Sequence, residues 1–335
     1  MKNFTYYRPA TVTEAIGLLD ARWGTTELLA GGTDLHDLQK EYVAQPDKVV
    51  SVTGIKDFKG IGLLRGAPDS AMSIWAGTTL AEIAEDKNVK EMYPALAAAA
   101  GQIGGPQIRN MGTLGGNLCQ RNRCWYFRDE HVNCLLKGGD KCFALDGDNR
   151  YHAVFTQGQK CVIVNPSTLA PVLIALGARA EVHGPGEKRT IEMDKFFQAP
   201  TTPTQREHVV APNEMVVSVT LPRYREKNSS YEVRHKQAYD WPLVQAAAAF
   251  KYDGGKASNV KIVLGHVAPM PLVAEDAAKA LEGKAITEET AAEAGKAATK
   301  GAKPLAENGY KLKLVEVAVK RALLTAAGHK KYWEV

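Results

Sequence analysis

The sequence predicts an α+β protein of two units, and three observations carry that prediction. Strand and helix signals alternate up to Pro222; a polar, charged stretch, RYREKNSS, follows; beyond it three strand signals precede a group of helices. The length of 335 residues suits two domains, and the composition (45% hydrophobic, 24% charged) excludes collagen-like, disordered and membrane-spanning chains. The division places one domain at 1–224, with 119–161 as a loop inserted into it, and a second at 230–335.

The elements follow in order. Thr11-Val12-Thr13-Glu14 has the form of a capping box opening a helix through about Arg22. Leu28-Leu29-Ala30 is a short apolar strand running into Gly31-Gly32-Thr33-Asp34-Leu35; then HDLQKEYV is helical and KVVSV is the next strand. Thr79-Leu80-Ala81-Glu82 is a second capping box, and the alanine-rich run Tyr93 to Ala100 is a helix slim enough to pack closely on a sheet. Gly101 to Leu118 is too long and glycine-dense for regular structure. Cys119 to Cys161 has no sustained periodicity and reads as an ordered loop that needs an external staple. VIVNPSTLAPVLIALGA restores a strand and a helix that Ser167 can cap, and AEVHG, KRTIEM and EMVVSVTLP are further strands. In the second unit YEVRHKQA, LVQAAAAFKY and NVKIVLGHVA form a three-stranded antiparallel sheet, with Asp253-Gly254-Gly255 as its hairpin signal. Helices dominate from Met270, and Leu312, Val315, Val319 and Leu323 are spaced for one buried face.

Charge and targeting signals narrow the class. Forty-two basic against 37 acidic residues give a net charge of +5 spread along the chain, too mild for a nucleic-acid binder. No apolar run approaches the roughly 18 residues of a membrane span, and the start, MKNFTYYRPATVTEAIGLL, is no secretory signal. The expected location is the cytoplasm, with the periplasm reached by co-export with a partner as the alternative.

Two glycine turns carry binding chemistry. Gly31-Gly32 stands between a strand and a helix, where glycine lets a ligand approach the backbone and helix-start amides favour phosphate. A plain strand-to-helix turn is the other reading. Gly112-Thr113-Leu114-Gly115-Gly116-Asn117-Leu118 is a second turn of similar chemistry, so the pair can hold the two phosphates of one dinucleotide. Neither is a G-x-G-x-x-G fingerprint or a P-loop, which argues against NAD on a Rossmann fold and against ATP hydrolysis.

The five cysteines lie in one 43-residue window, spaced Cys119-x4-Cys124-x9-Cys134-x7-Cys142-x18-Cys161. An odd count without a signal peptide argues against a disulfide framework. Structural zinc sites usually show a close C-x2-4-C pair, and the only near pair here is Cys119 with Cys124. Wide spacing on an irregular loop suits a cubane iron–sulfur cluster, which needs four thiolates. Five buried free thiols remain the plain alternative.

These segments together resemble the flavin-binding medium subunits of the molybdenum hydroxylases, the group of xanthine dehydrogenase, carbon monoxide dehydrogenase and aldehyde oxidoreductase. Ala30-Gly31-Gly32-Thr33-Asp34-Leu35, Thr113-Leu114-Gly115-Gly116-Asn117-Leu118, Asn165-Pro166-Ser167-Thr168-Leu169 and Asp240-Trp241-Pro242-Leu243-Val244 carry it, in this order over nearly the whole chain. The resemblance implies a two-lobed FAD-binding domain of the vanillyl-alcohol-oxidase (PCMH) type, with the smaller C-terminal domain covering the flavin. Leu29, Ala30, Gly31, Gly32, Thr33, Asp34 and Leu35, with Thr113, Gly115, Gly116 and Asn117, would hold the pyrophosphate. Ser167, Thr168 and Leu169 would lie by the ribose and adenine, and Tyr239, Asp240 and Trp241 near the isoalloxazine. Thr168 departs from the family, which usually carries aspartate there.

Asn122-Arg123-Cys124-Trp125-Tyr126-Phe127-Arg128 and Gly147-Asp148-Asn149-Arg150-Tyr151-His152-Ala153 resemble an insertion in bacterial aldehyde oxidoreductase flavin subunits that bind a [4Fe-4S] cluster. That resemblance implies Cys124, Cys134, Cys142 and Cys161 as ligands and leaves Cys119 spare beside the second turn. Trp125, Tyr126 and Phe127 read as apolar cover for the cluster, and His152 and His266 as structural.

The implied role is an oxidoreductase subunit that transfers electrons. A large molybdopterin-binding partner would oxidise an aldehyde or aromatic heterocycle. A small partner with two [2Fe-2S] clusters would pass electrons to this FAD, and an external acceptor such as ferredoxin or a quinone would take them. A self-contained flavin oxidoreductase of the same fold and a zinc-stapled, non-redox binding protein are the competing readings.

Overall fold

The computed structural model describes residues 1–64, 72–156, 158–223, 227–236, 239–331 and 333. Tyr224-Arg225-Glu226 of the expected linker and Gln237-Ala238 lie outside the described residues. The strands are β1 (Thr5–Tyr7), β2 (Thr26–Leu29), β3 (Lys48–Ser51), β4 (Ile61–Leu63), β5 (Met72–Trp75), β6 (Arg179–His183), β7 (Lys188–Glu192), β8 (Met215–Leu221), β9 (Lys227–Val233), β10 (Val244–Asp253), β11 (Lys256–Gly265) and β12 (Leu272–Val273).

The first lobe is a parallel sheet in the order β1-β3-β2, with Tyr7 opposite Val50 and Leu29 opposite Ser51. The second is an antiparallel sheet in the order β4-β5-β8-β6-β7. Helices Leu80–Glu85, Pro94–Gln102 and Leu169–Ala175 pack in series, the second against β9 and the third against β10 and β11, and one apolar core joins residues of both lobes. The Thr79 capping box forms in full: Thr79 Oγ1 accepts from Glu82 N at 3.3 Å and Glu82 Oε2 from Thr79 N at 2.9 Å.

The C-terminal sheet runs β12-β11-β10-β9, all antiparallel, so a two-residue edge strand joins the three expected ones. Its hairpin turn is Gly254-Gly255, with φ of 54° and 76°, between paired Asp253 and Lys256; only a type I′ turn asks this of both residues. Strand β10 is buried on both faces. Val244, Ala246, Ala248 and Phe250 face the helices of its own domain, while Ala247 and Ala249 join the core of the first. Side chains alternate along a strand, and alanine lets both neighbours approach closely, so this strand seats the second domain on the first. Helix Lys311–Ala327 covers the far face with Val315, Val319 and Leu323.

Several sequence expectations are corrected. The first helix stops at Gly17, not Arg22; Thr11 Oγ1 does accept from Glu14 N, but Glu14 Oε2 reaches back to Ala10 N and misses the box partner. The glycine-rich segment contains helices Pro106–Met111 and Leu114–Cys119, started by a proline at the first turn and by the Thr113 cap. Residues 162–164 form no strand, although Val162 and Ile163 are buried. Lys227–Ser230, expected in the linker, already belongs to β9.

Candidate functional site

The two glycine turns touch. A Cβ on Gly31 would stand 1.9 Å from the Met111 carbonyl oxygen, so only glycine lets the backbone at 111–112 lie against the first turn. Gly32 has φ +75°, and a Cβ there would meet the His36 ring at 2.4 Å. In the second turn Thr113 Oγ1 accepts from Gly116 N at 3.1 Å, and Gly115 N donates to Ala76 O at 2.9 Å. Both turns open on one cavity of about 1180 Å³, above the roughly 300–1,000 Å³ of small-ligand pockets.

The cavity collects most of the residues the sequence singled out. Leu29, Ala30, Gly31, Gly32, Thr33, Asp34 and Leu35 line it, as do Thr113, Gly115, Gly116, Asn117, Thr168, Tyr239, Asp240 and Trp241. Ser167 and Leu169 stand behind the wall. Ser167 Oγ donates to Asn117 Oδ1 at 2.7 Å and accepts from Ala170 N at 3.2 Å, while Leu169 is fully buried in the core. Thr168 is buried at the junction of the domains: its carbonyl accepts from Gln245 Nε2 at 2.9 Å, and its Oγ1 is 3.4 Å from His266 Nε2.

Tyr239, Asp240 and Trp241 reach the cavity from the second domain. Tyr239 is 72% exposed and takes φ 62°; its ring lies so close to Gly105 that a Cβ there would be 2.9 Å from it. The Arg123 guanidinium sits 4.6 Å from the centroid of the Trp241 ring. The cavity is also lined by an aromatic group that sequence reasoning missed. Trp23 meets His208 edge-on at 5.8 Å, the Arg206 guanidinium covers Trp23 at 4.6 Å, and Val210 and Met215 complete the wall. Burial pushes the His208 pKa down to about 4, so the ring is neutral. No local motif marks these residues, because they are scattered over nearly two hundred positions.

Asp34 turns its carboxylate away from the amides and toward the cysteine loop. It accepts from Arg121 N at 2.9 Å and from Arg128 Nη2 at 2.6 Å, and pairs with Arg123 at 3.1 Å. Asp37 takes Arg128 Nη1 at 2.6 Å. A second anchor is Glu207: burial alone would raise its pKa, but Arg121 at 2.8 Å and two Asn122 donors outweigh that and hold it ionised.

Four of the five thiols come together. Cys134, Cys142 and Cys161 are buried and Cys124 is partly so; Cys142 and Cys161 share a hydrogen bond, and Cys124 lies within electrostatic reach of Cys134 and Cys142. Cys161's hydrogen bond lowers the Cys142 pKa to about 6, whereas Cys161 itself is pushed up. Cys119 stands apart on the cavity wall, its pKa raised to about 12 by burial alone. Leu38, Phe127, Leu136, Ile163, Tyr126 and Leu305 cover the group. Among the described residues, no three His, Cys, Asp or Glu side chains are gathered around a single-ion position.

His152, expected to be merely structural, places Nε2 3.2 Å from Cys124 Sγ. The second domain clasps the chain here. Lys311 Nζ donates to the carbonyls of Tyr151, His152 and His266 at 2.9–3.1 Å, and Asn308 Nδ2 to those of His152 and Ala153. Lys311 and Asn308 are both buried here, and no local sequence signal marks either as a partner of these carbonyls.

The family matches give an FAD-binding domain followed by a second, C-terminal domain. Residues 2–224 match the family described as FAD binding domain in molybdopterin dehydrogenase, and residues 229–326 match the CO dehydrogenase flavoprotein C-terminal domain. The chain belongs to the FAD-binding medium subunits of the molybdenum hydroxylase family and is an oxidoreductase subunit. It is 32% identical over 333 residues to the aldehyde oxidoreductase FAD-binding subunit PaoB of Escherichia coli (strain K12), covering 97% of this chain and 99% of that protein. It is 28% identical to the carbon monoxide dehydrogenase medium chain of Hydrogenophaga pseudoflava, covering 97% of each. A solved structure of carbon monoxide dehydrogenase from that organism superposes with a TM-score of 0.74 at 27% identity, again over 97% of both chains.

Proposed function

We propose that this chain holds FAD in the large cavity and a [4Fe-4S] cluster in the four-thiol pocket, and relays electrons within a heteromeric molybdenum hydroxylase. The observation that carries the reading is Asp34. It belongs to the first glycine turn, and its carboxylate binds three arginines of the cysteine loop, so the two sites are built against each other.

The residues fit both groups. Gly31 to Leu35 bring backbone amides to the cavity, as a pyrophosphate requires, and the second turn lies against them with its own Leu114 to Asn117 amides held by Thr78, Ala76 and Thr113. The group of Trp23, His208, Val210 and Met215 suits a flat adenine, and Tyr239 to Trp241 suit the isoalloxazine. Ser167 acts through Asn117, leaving Thr168 as the member of its segment at the cavity. Cys124, Cys134, Cys142 and Cys161 lie in two apolar clusters that share Leu135, and they would supply the four thiolates a cubane takes, although no single-ion position gathers them among the described residues. FAD would supply two-electron chemistry and the cluster one-electron chemistry. The chain's own work is to bind, orient and shield them, from domains divided at 224 and 230.

The relatives' names, a subunit and a medium chain, support partners: a large molybdopterin subunit where an aldehyde or aromatic heterocycle reacts, and a small subunit with two [2Fe-2S] clusters. Ferredoxin, a quinone or another external acceptor would complete the route. No helix among the described residues is long and apolar enough to cross a membrane. The cytoplasm is the proposed location, with periplasmic co-export as the alternative. Purification with co-expressed partners tests the reading. The expected complex is yellow-brown, with one flavin and four cluster irons per copy of this chain beyond those of the small subunit; a colourless chain with stoichiometric zinc overturns it.

A further inference from the structure

Neither flavin binding nor the count of thiols accounts for the placement of His152. Its Nε2 is 3.2 Å from Cys124 Sγ, and its Nδ1 has no partner among the described residues. Trp125 stands edge-on to the ring at 5.2 Å and Tyr126 is tilted against it at 6.2 Å. The backbone is fixed on both sides: His152 N donates to Asn149 O at 3.0 Å, while its carbonyl accepts from Asn308 at 3.2 Å and Lys311 at 3.1 Å. A ring held this way has little freedom to leave the sulfur.

We infer that His152 is a positioning residue that donates Nε2–H to the Cys124 sulfur and thereby raises the reduction potential of the cluster bound there. The inference rests on the cluster reading above. A metal-bound thiolate carries no proton, so the nitrogen facing it must be the donor, and the neutral ring then leaves Nδ1 bare. Reduction adds negative charge that spreads onto the thiolate sulfurs, and a donor hydrogen bond strengthens with that charge. Cys124 also faces the amides of Tyr126 and Phe127, but His152 supplies a side-chain donor that substitution can remove without touching the loop backbone. The clasp from Lys311 and Asn308 preorganises it, as partners of a metal ligand generally do.

The test is an EPR-monitored redox titration of the purified complex. The His152→Phe variant is expected to keep its flavin and iron while its cluster potential falls by about a tenfold change in the reduction equilibrium, ~59 mV for one electron. His152→Gln, which keeps an N–H donor, is expected to recover most of that. An iron-replete Phe variant with an unchanged potential overturns the inference and leaves the cluster reading standing. Wild-type protein labelled with 15N-histidine covers the case in which the Phe variant does not assemble. Pulsed EPR of the reduced cluster is expected to show a histidine nitrogen coupling, and its absence overturns the inference. A wild-type chain free of iron and acid-labile sulfide removes the cluster reading itself, and this inference with it.

Discussion

Arg128 donates from Nη2 to Asp34 Oδ1 at 2.6 Å, joining the cysteine loop to the first glycine turn across 94 positions of sequence. Both side chains are mostly shielded, so the pair is not a surface ornament: removing one partner leaves the other charge in a poorly hydrated place. Asp34→Ala is expected to cost about 3 kcal/mol. Thermal denaturation checks the cost, and flavin and iron assays on the same sample should both fall. A loss of stability with both cofactors at full content would show that the tie does not position them.

Gly31→Ala is expected to abolish flavin retention, because its methyl group would enter the Met111 carbonyl at 1.9 Å. Gly17→Ala, where nothing lies within 4 Å, is the matched control and should keep the flavin. The ratio of flavin to protein absorbance separates the two.

Single serine substitutions of Cys124, Cys134, Cys142 and Cys161 are each expected to lower iron content severalfold, while Cys119→Ala should leave it unchanged. Iron and acid-labile sulfide measurements decide. Loss of iron from the Cys119 variant together with retention in the Cys161 variant would reassign the ligands.

Acid should destabilise the fold before its carboxylates titrate. Burial lowers the pKa of His208 to about 4 and of His266 to about 3, from 6.5 in the unfolded chain. Between those values the unfolded chain binds more protons, so stability falls as pH drops from 6.5 toward 4, by up to about 3 kcal/mol per ring. Midpoint temperatures across that range check the slope, and His208→Phe should flatten it.

Local chemistry made part of this legible. The Thr79–Glu82 box, the Gly254-Gly255 hairpin and the strand-to-helix turn at Gly31-Gly32 are each written in a few adjacent residues, and each forms as read. The short helices Pro106–Met111 and Leu114–Cys119 were not legible, since glycine density hid a proline start and a threonine cap. The aromatic group, the Asp34–arginine tie and the Lys311 clasp were not legible either, because their partners lie far apart in sequence and meet only through tertiary packing.

The Lys311 clasp also sets a clock. The ammonium that closes over the Tyr151 and His152 carbonyls is made about 160 residues after them. At ~5–20 residues per second, the stretch from Cys161 to Lys311 takes roughly 8–30 s to translate. Through that interval the 151–152 backbone, which carries the His152 ring beside Cys124, has emerged without the ammonium that ties it down. The final geometry of the His152 segment is therefore set late in synthesis, after the whole first domain has been made.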